Sequence, residues 1–130
     1  MRSFFSGMIY TLLCLHIFSI SSVSAQDIGY VNYDILDGLA GSNVYDAAQD
    51  LDGFMWFATE NGVSRFDGKR FKTFTVKDGL PDNEIIKIFV DSKNRVWLLP
   101  FKAAIAYYYN GKIYNAEKNP EEFRERTRSV

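Results

Sequence analysis

A repeat of about 41 residues constrains the fold of this chain more than any other feature of its sequence. Three kinds of residue recur at that spacing: an Asp-Gly-Leu triplet, an aspartate and a tryptophan. The copies are Asp37–Leu39 with Asp78–Leu80, Asp50 with Asp91, and Trp56 with Trp97. Repeats of about 20 to 50 residues are typical of arrays in which each unit buries a face against its neighbour. We therefore expect two copies of one supersecondary unit.

The pattern inside each unit predicts four short strands joined by tight turns. Asp50–Gly53 reads as a turn, and Asn61-Gly62 and Asp67-Gly68 are hairpin signals, because Asn, Asp and Gly accept turn conformations. Strands are expected at Val44–Gln49, Phe54–Thr59, Val63–Phe66 and Arg70–Val76, and again at Ile85–Val90, Val96–Leu99, Ile105–Tyr109 and Lys112–Tyr114. Aromatic residues make up 16% of the chain, which also favours strands. Four strands in about 40 residues form one blade of a β-propeller.

Two blades are too few for a closed ring, because propellers typically hold about 4 to 8. We therefore expect an all-β fold of about two four-stranded antiparallel blades, an incomplete propeller with two open faces. Tyr30–Tyr33 lies one repeat period before Phe71–Phe74 and predicts the outer strand of a further blade. The chain is then a truncated product, a fragment, or a protein that assembles with others.

The two units are expected to differ after the second tryptophan. There the register should slip by two residues, which aligns Phe66 with Tyr109. Pro100–Ala103 replaces the Thr-x-Asn-Gly sequence of the first unit, so the second hairpin should turn differently.

The first 25 residues have the layout of a secretory signal peptide. Arg2 supplies the positive start, Met8–Ile20 is the apolar run, and Val23–Ala25 ends in small residues that suit cleavage. The alternative is an uncleaved membrane anchor, although the run is short for a span of about 20 residues. The predicted organisation is therefore a signal peptide at 1–25, two blades at 26–115 and a charged tail at 116–130. The tail is expected to be a solvated end that is partly helical or disordered, or the result of truncation. Export to the periplasm or the outer face of the inner membrane follows.

Cleavage would remove both Cys14 and His16, the single cysteine and the single histidine of the chain. Catalysis by Ser-His or Cys-His pairs and metal sites built on those residues are then excluded. We expect no enzyme, no catalytic residue, no metal and no cofactor. The formal net charge of -1 also gives no basic footprint for nucleic acid.

The repeated residues are expected to serve the structure. Trp56 and Trp97 should fill the space between adjacent blades, since large aromatics carry much of a repeat's interface energy. Asp50 and Asp91 should form turns, with Gly53 in the first, because the second copy places a lysine where a calcium loop needs an oxygen ligand. Gly38 and Gly79 belong to turns that pack a leucine under the neighbouring blade.

The segment Tyr107-Tyr108-Tyr109 matches the repeat least and is the candidate ligand site. Tyrosine offers an apolar face and a polar tip, which suits a small saccharide or a peptide. Alternate residues of a strand face opposite sides, so at most two of the three share one surface. The other interpretation is plain packing.

The repeats resemble the two-component regulator propeller family. The resemblance rests on Asp37–Leu39, Val44, Gln49–Gly53, Trp56–Thr59 and Asn61–Gly68 in the first copy, and on Asp78–Leu80, Asp91, Trp97 and Tyr109–Gly111 in the second. It implies the N-terminal sensor region of a Bacteroidetes-type sensor histidine kinase. The expected function is extracytoplasmic ligand sensing in signal transduction, with the transmembrane and kinase parts missing.

Two other functions stay open. One is an exported interaction or assembly protein without signalling output, in which the blades pack against further blades or against copies of the chain. The other is a propeller lyase or glycosidase, whose main support is the fold itself, and a shared fold is weak support for a function.

Overall fold

The computed structural model describes residues 29–128, and these form two four-stranded antiparallel sheets and one short α-helix. Sheet 1 contains β1 (Val44–Gln49), β2 (Met55–Thr59), β3 (Gly62–Phe66) and β4 (Phe71–Phe74). Sheet 2 contains β5 (Ile85–Val90), β6 (Val96–Pro100), β7 (Ala106–Tyr109) and β8 (Lys112–Asn115), and α1 is Pro120–Arg128. The all-β prediction is confirmed, and each sheet has the strand order of the expected blade.

Contacts divide the chain into residues Met1–Val31 and Asn32–Val130, and the description below concerns the described residues of the second unit. The predicted signal peptide at 1–25 lies outside the described residues. Between residues 29 and 128, no helix is both long enough and apolar enough to cross a bilayer.

The turn between the first two strands of each sheet is built by its aspartate. The Asp50 carboxylate accepts hydrogen bonds from the backbone N–H groups of Asp52 and Phe54, at 3.0 and 2.9 Å. Its other oxygen accepts from Nε1 of Trp56 at 2.7 Å. In sheet 2 the Asp91 carboxylate accepts from Trp97 Nε1 at 2.8 Å in the same way. The repeated aspartate therefore folds the turn and orients the repeated tryptophan.

Each Asp-Gly-Leu triplet ends a 3-10 turn that leads into the first strand of a sheet. The turns are Ile35–Asp37 and Val76–Asp78, each with a capping box at its start. Gly38 and Gly79 follow at φ 107° and 111°, a left-handed conformation that favours glycine. The chain then turns inward, and Leu80 is fully buried.

The core lies between the two sheets and is almost entirely apolar. Sheet 1 and the turn after it contribute Trp56, Ala58, Val63, Phe74 and Leu80. Sheet 2 contributes Ile85, Ile88, Val96, Leu98, Ala106 and Ile113. Because each sheet buries only this one face against the other, both keep a second face directed away from the core.

The strand registers correct one predicted alignment. Trp56 pairs with Arg65, whereas Trp97 pairs with Tyr107. The sequence separation between the two pairing partners is therefore one residue larger than the separation between the two tryptophans. The register slips by one residue, and Phe66 corresponds to Tyr108 instead of Tyr109. The predicted two-residue slip was wrong because the alignment matched the glycines of the two hairpin turns. The two turns are equally long, but their glycines stand at different positions within them.

The second hairpin does turn differently, as expected. In sheet 1, Thr59 pairs directly with Gly62 across a two-residue turn. In sheet 2, the connection from Pro100 to Ala106 is longer, and the Phe101 side chain on it is 60% exposed.

The predicted strand at Tyr30–Tyr33 is absent, since residues 29–34 have no strand assignment. An outer strand needs the third strand of its own sheet as a hydrogen-bonding partner. The described residues before Tyr33 contain no such strand. The Tyr33 ring instead packs on Phe66 and Phe71, at centroid distances of 4.9 and 5.4 Å.

Replacing Leu80 with alanine should destabilise the chain by about 2–5 kcal/mol, because a buried leucine leaves a cavity in the core. Leu39, its counterpart one repeat earlier, is half-buried and provides the matched control. Leu39→Ala should cost only about 1 kcal/mol. Urea unfolding followed by circular dichroism measures both values. If both variants lose the same free energy of unfolding, the conclusion that Leu80 lies in the core and Leu39 does not would be contradicted.

Candidate functional site

Aromatic and apolar side chains of residues 29–128 gather at one interface between the sheets and on two outward faces. The inter-sheet interface joins the sheets around Trp56 and Tyr108. The Trp97 face is the side of sheet 2 turned away from sheet 1, with Phe89, Trp97, Tyr107 and Tyr114. The outer groove is the side of sheet 1 turned away from sheet 2.

The inter-sheet interface is centred on aromatic rings. Tyr108 of β7 lies 4.8 Å from Trp56 and 5.4 Å from Phe74, measured between ring centroids. Its hydroxyl accepts a hydrogen bond from Nη1 of Arg65 at 2.9 Å. The Arg65 guanidinium also lies 4.4 Å from the centre of the Phe54 ring. A sheet-to-sheet contact of this kind combines apolar burial with a fixed orientation.

Polar contacts close both edges of this interface. Asp46 of β1 accepts a hydrogen bond from the backbone N–H of Ile88 at 2.9 Å and pairs with Lys87 Nζ at 3.2 Å. The Ile88 N–H, followed by the Lys87 ammonium, lowers the pKa of Asp46 below its ordinary value. At the opposite edge, Asn94 accepts from the Leu51 N–H at 2.8 Å.

The Trp97 face presents the same chemistry, and residues 29–128 form no third sheet that covers it. Phe89 stacks on Trp97 at 5.6 Å, and Tyr107 stacks on Tyr114 at 5.0 Å. Burial of the Asp91 carboxylate opposes its ionisation, but hydrogen bonds from Trp97 and Arg95 outweigh burial and lower its pKa. Trp97 is half-buried, whereas Trp56 is fully buried.

Helix α1 covers part of the Trp97 face. Phe123 lies edge-on to Trp97 at 6.1 Å and against Tyr107 at 5.4 Å. Glu122 anchors the helix through an ion pair with Lys112 Nζ at 2.9 Å. Before the helix, the Asn115 N–H donates to Asn119 Oδ1 at 3.0 Å. The charged tail at 116–130 thus contains a helix whose one aromatic side chain packs on sheet 2.

The three candidate ligand tyrosines lie in different surroundings. Tyr107 is fully buried under Phe123, and Tyr108 sits in the inter-sheet interface. Tyr109 is half-buried at the end of β7. The strand alternation therefore separates Tyr108 from its neighbours, and the rings of Tyr107 and Tyr108 contact protein side chains.

The outer groove is an apolar depression of about 330 Å³. Its lining residues come from the chain before β1 and from β1, β2 and β4: Tyr33, Leu39, Val44, Ala47, Phe57 and Phe71. Val44 is 45% exposed and Tyr33 41% exposed, so solvent reaches this apolar surface. The groove is therefore a small apolar surface that another apolar surface could cover. Across residues 29–128, no group of three or more His, Cys, Asp or Glu side chains is placed to hold a metal ion.

Sequence reasoning did not find the groove or the role of Phe123. Most of the groove residues are ordinary apolar residues of strands, and only the packing of the sheets shows which side of those strands is left open. Phe123 did carry a signal, because it is the one aromatic residue in the charged segment 116–130. An isolated aromatic at a helical position suggests a docking contact.

Comparison with known proteins gives one informative match. No protein-family model matches the chain. The chain is 33% identical over 72 residues to histidine kinase P4 of Formosa agariphila. The match covers 54% of this chain and 5% of that protein. The chain is therefore similar, over about half of its length, to a small part of a histidine kinase.

Asp46→Asn should lower the free energy of unfolding at pH 7 by about 1 kcal/mol, a modest value because Lys87 is exposed. Since the folded-state pKa of Asp46 lies below its ordinary 3.8, this stabilisation is present above that value and lost as the pH falls through the folded-state pKa. Denaturant titrations of both proteins from pH 7 to pH 2 measure the difference. A difference that stays constant to pH 2 would rule out the charge contribution.

Phe123→Ala should expose Trp97 and lower the stability of the chain by about 2 kcal/mol through lost packing. The tryptophan emission should shift to longer wavelength, and quenching by acrylamide should increase, while Trp56 stays buried. Phe101→Ala is the matched control, because the Phe101 ring is 60% exposed. An identical emission in the Phe123 and Phe101 variants would show that α1 does not cover Trp97.

Proposed function

We propose that this chain is the extracytoplasmic sensing segment of a two-component signal transduction receptor, built from β-propeller blades. The observation that carries the proposal is the shared sequence with a histidine kinase, at 33% identity over 72 residues. Two repeated four-stranded antiparallel sheets, packed through an aromatic interface, support the blade assignment. The chain spans only 5% of the length of that kinase, so any kinase output belongs to sequence beyond these sheets.

The proposed ligand is a small saccharide or a peptide. Of the three tyrosines, Tyr109 has the ring best suited to contact it, because Tyr107 is fully buried and Tyr108 packs against Trp56. A signal would then reach the rest of the receptor through the packing of the sheets. Export through a signal peptide at 1–25 is part of this proposal.

The second candidate is an assembly protein whose sheets pack against further blades. The outer groove favours it, since an apolar depression of about 330 Å³ on a sheet face suits another sheet better than a polar ligand. The two candidates differ in their output, because an assembly protein needs no kinase.

Reading the genomic DNA beyond the codon for Val130 tests the sensor proposal. The expected result is an open frame that continues through more repeats of about 41 residues, a membrane-spanning run and a histidine kinase. A stop codon directly after Val130, confirmed on the transcript, would overturn the sensor proposal for this product and favour the assembly protein.

A further inference from the structure

We propose that the outer groove binds the Trp97 face of a second copy of this chain, and that helix α1 competes with the groove for that face. The proposal concerns the surfaces of the two sheets and does not depend on the signalling role.

The groove residues are the repeat counterparts of core residues. Four of them lie one repeat period before a residue of the inter-sheet core: Leu39, Val44, Ala47 and Phe57. The fifth, Phe71, corresponds to Ile113 in the strand register. Those counterparts are Leu80, Ile85, Ile88, Leu98 and Ile113. In sheet 2 they are covered by the tryptophan side of sheet 1. By repeat symmetry, the groove is shaped to receive the tryptophan side of another sheet.

The Tyr33 ring already fills one part of this receiving surface. Tyr33 packs on Phe66 at 4.9 Å, as Phe74 packs on its counterpart Tyr108 at 5.4 Å. In sheet 2 the residue at the place of Phe74 is Ala116, whose N–H bonds to Ile105 O at 3.4 Å. When sheet 2 of one copy docks in the groove, it brings no ring equivalent to Phe74. Tyr33 of the receiving copy already provides a ring at that place.

The charges are complementary. Within one chain, Asp46 of sheet 1 pairs with Lys87 of sheet 2 at 3.2 Å, at the edge of the inter-sheet interface. These two residues occupy the same position in the two copies of the repeat. When sheet 2 of one copy docks on sheet 1 of the next, Lys87 meets Asp46, so opposite charges face each other again. Like charges at this position would oppose the contact.

Helix α1 occupies the place that the second copy would take. Phe123 contacts Trp97 and Tyr107, the counterparts of Trp56 and Arg65. Tyr108 is the ring that contacts Trp56 and Arg65 in the inter-sheet interface. Phe123 therefore stands where Phe66 of a docked copy would lie. A single aromatic ring buries far less apolar surface than a whole sheet face, so the helix should yield at high protein concentration.

The contact is head to tail, because the groove and the Trp97 face are different surfaces. Head-to-tail contacts continue until a ring closes or a filament grows. Each copy contributes two sheets, so about two to four copies would supply the blades of a propeller ring.

Sedimentation velocity of the full chain over a range of concentrations tests the proposal. Phe123→Ala should associate at a concentration at least about tenfold below that of the wild type, because the competing ring is gone. Adding Ala47→Glu should return the variant to a monomer, since a carboxylate would be buried unpaired in the groove. Ala47 is exposed in the single chain, so this change should leave the fold intact. Leu51→Glu, at an exposed site outside the groove, is the control and should not reduce association.

A mixing experiment separates head-to-tail contact from nonspecific association. In the double variant Phe123→Ala with Ala47→Glu, the groove is blocked and only the Trp97 face is open for association. In the wild-type chain at low concentration, α1 covers the Trp97 face and only the groove is open. Each alone should be monomeric, and together they should form a 1:1 complex. The proposal is overturned if the mixture stays monomeric, or if Ala47→Glu leaves association unchanged in both the Phe123 variant and concentrated wild-type chain.

Discussion

The contact on which the rest of this structure depends is the hydrogen bond from a tryptophan indole to the turn aspartate six residues before it. Asp50 folds its turn with backbone N–H groups and at the same time holds Trp56 at 2.7 Å. The indole is thereby fixed on the side of the sheet that meets Tyr108. Because its N–H is satisfied within its own sheet, the ring can be fully buried in an apolar interface at little cost.

That one arrangement, used twice, explains why the two sheets differ in their surroundings. Trp56 meets a second sheet, whereas Trp97, held by Asp91 at 2.8 Å, is met from outside its own sheet by Phe123 of α1. On the other side, sheet 1 offers apolar residues whose counterparts in sheet 2 are buried. Each interface between repeats of this kind joins two different surfaces. Within residues 29–128, the outer groove and the Trp97 face are surfaces of these two kinds that no third sheet covers.

The relation to a histidine kinase and the packing of the sheets fit together. A stack of sheets joined through rings and a few edge charges transmits displacement, because close-packed surfaces shift as units. The Asp46–Lys87 pair and the Arg65–Tyr108 hydrogen bond lie at these joints. These contacts fix how the two sheets pack against each other.

The sequence by itself determined the elements that depend on local chemistry. The repeat period, the Asp-Gly turns and the compact apolar runs predicted eight strands, because strand alternation and turn conformation are properties of short segments. The tertiary structure alone decided what depends on distant partners. It placed Tyr107 and Tyr108 in packing, left Tyr33 without a strand to pair with, and set Phe123 on Trp97. Which face of a strand is covered depends on the neighbouring sheet, and no local pattern records whether that sheet is present.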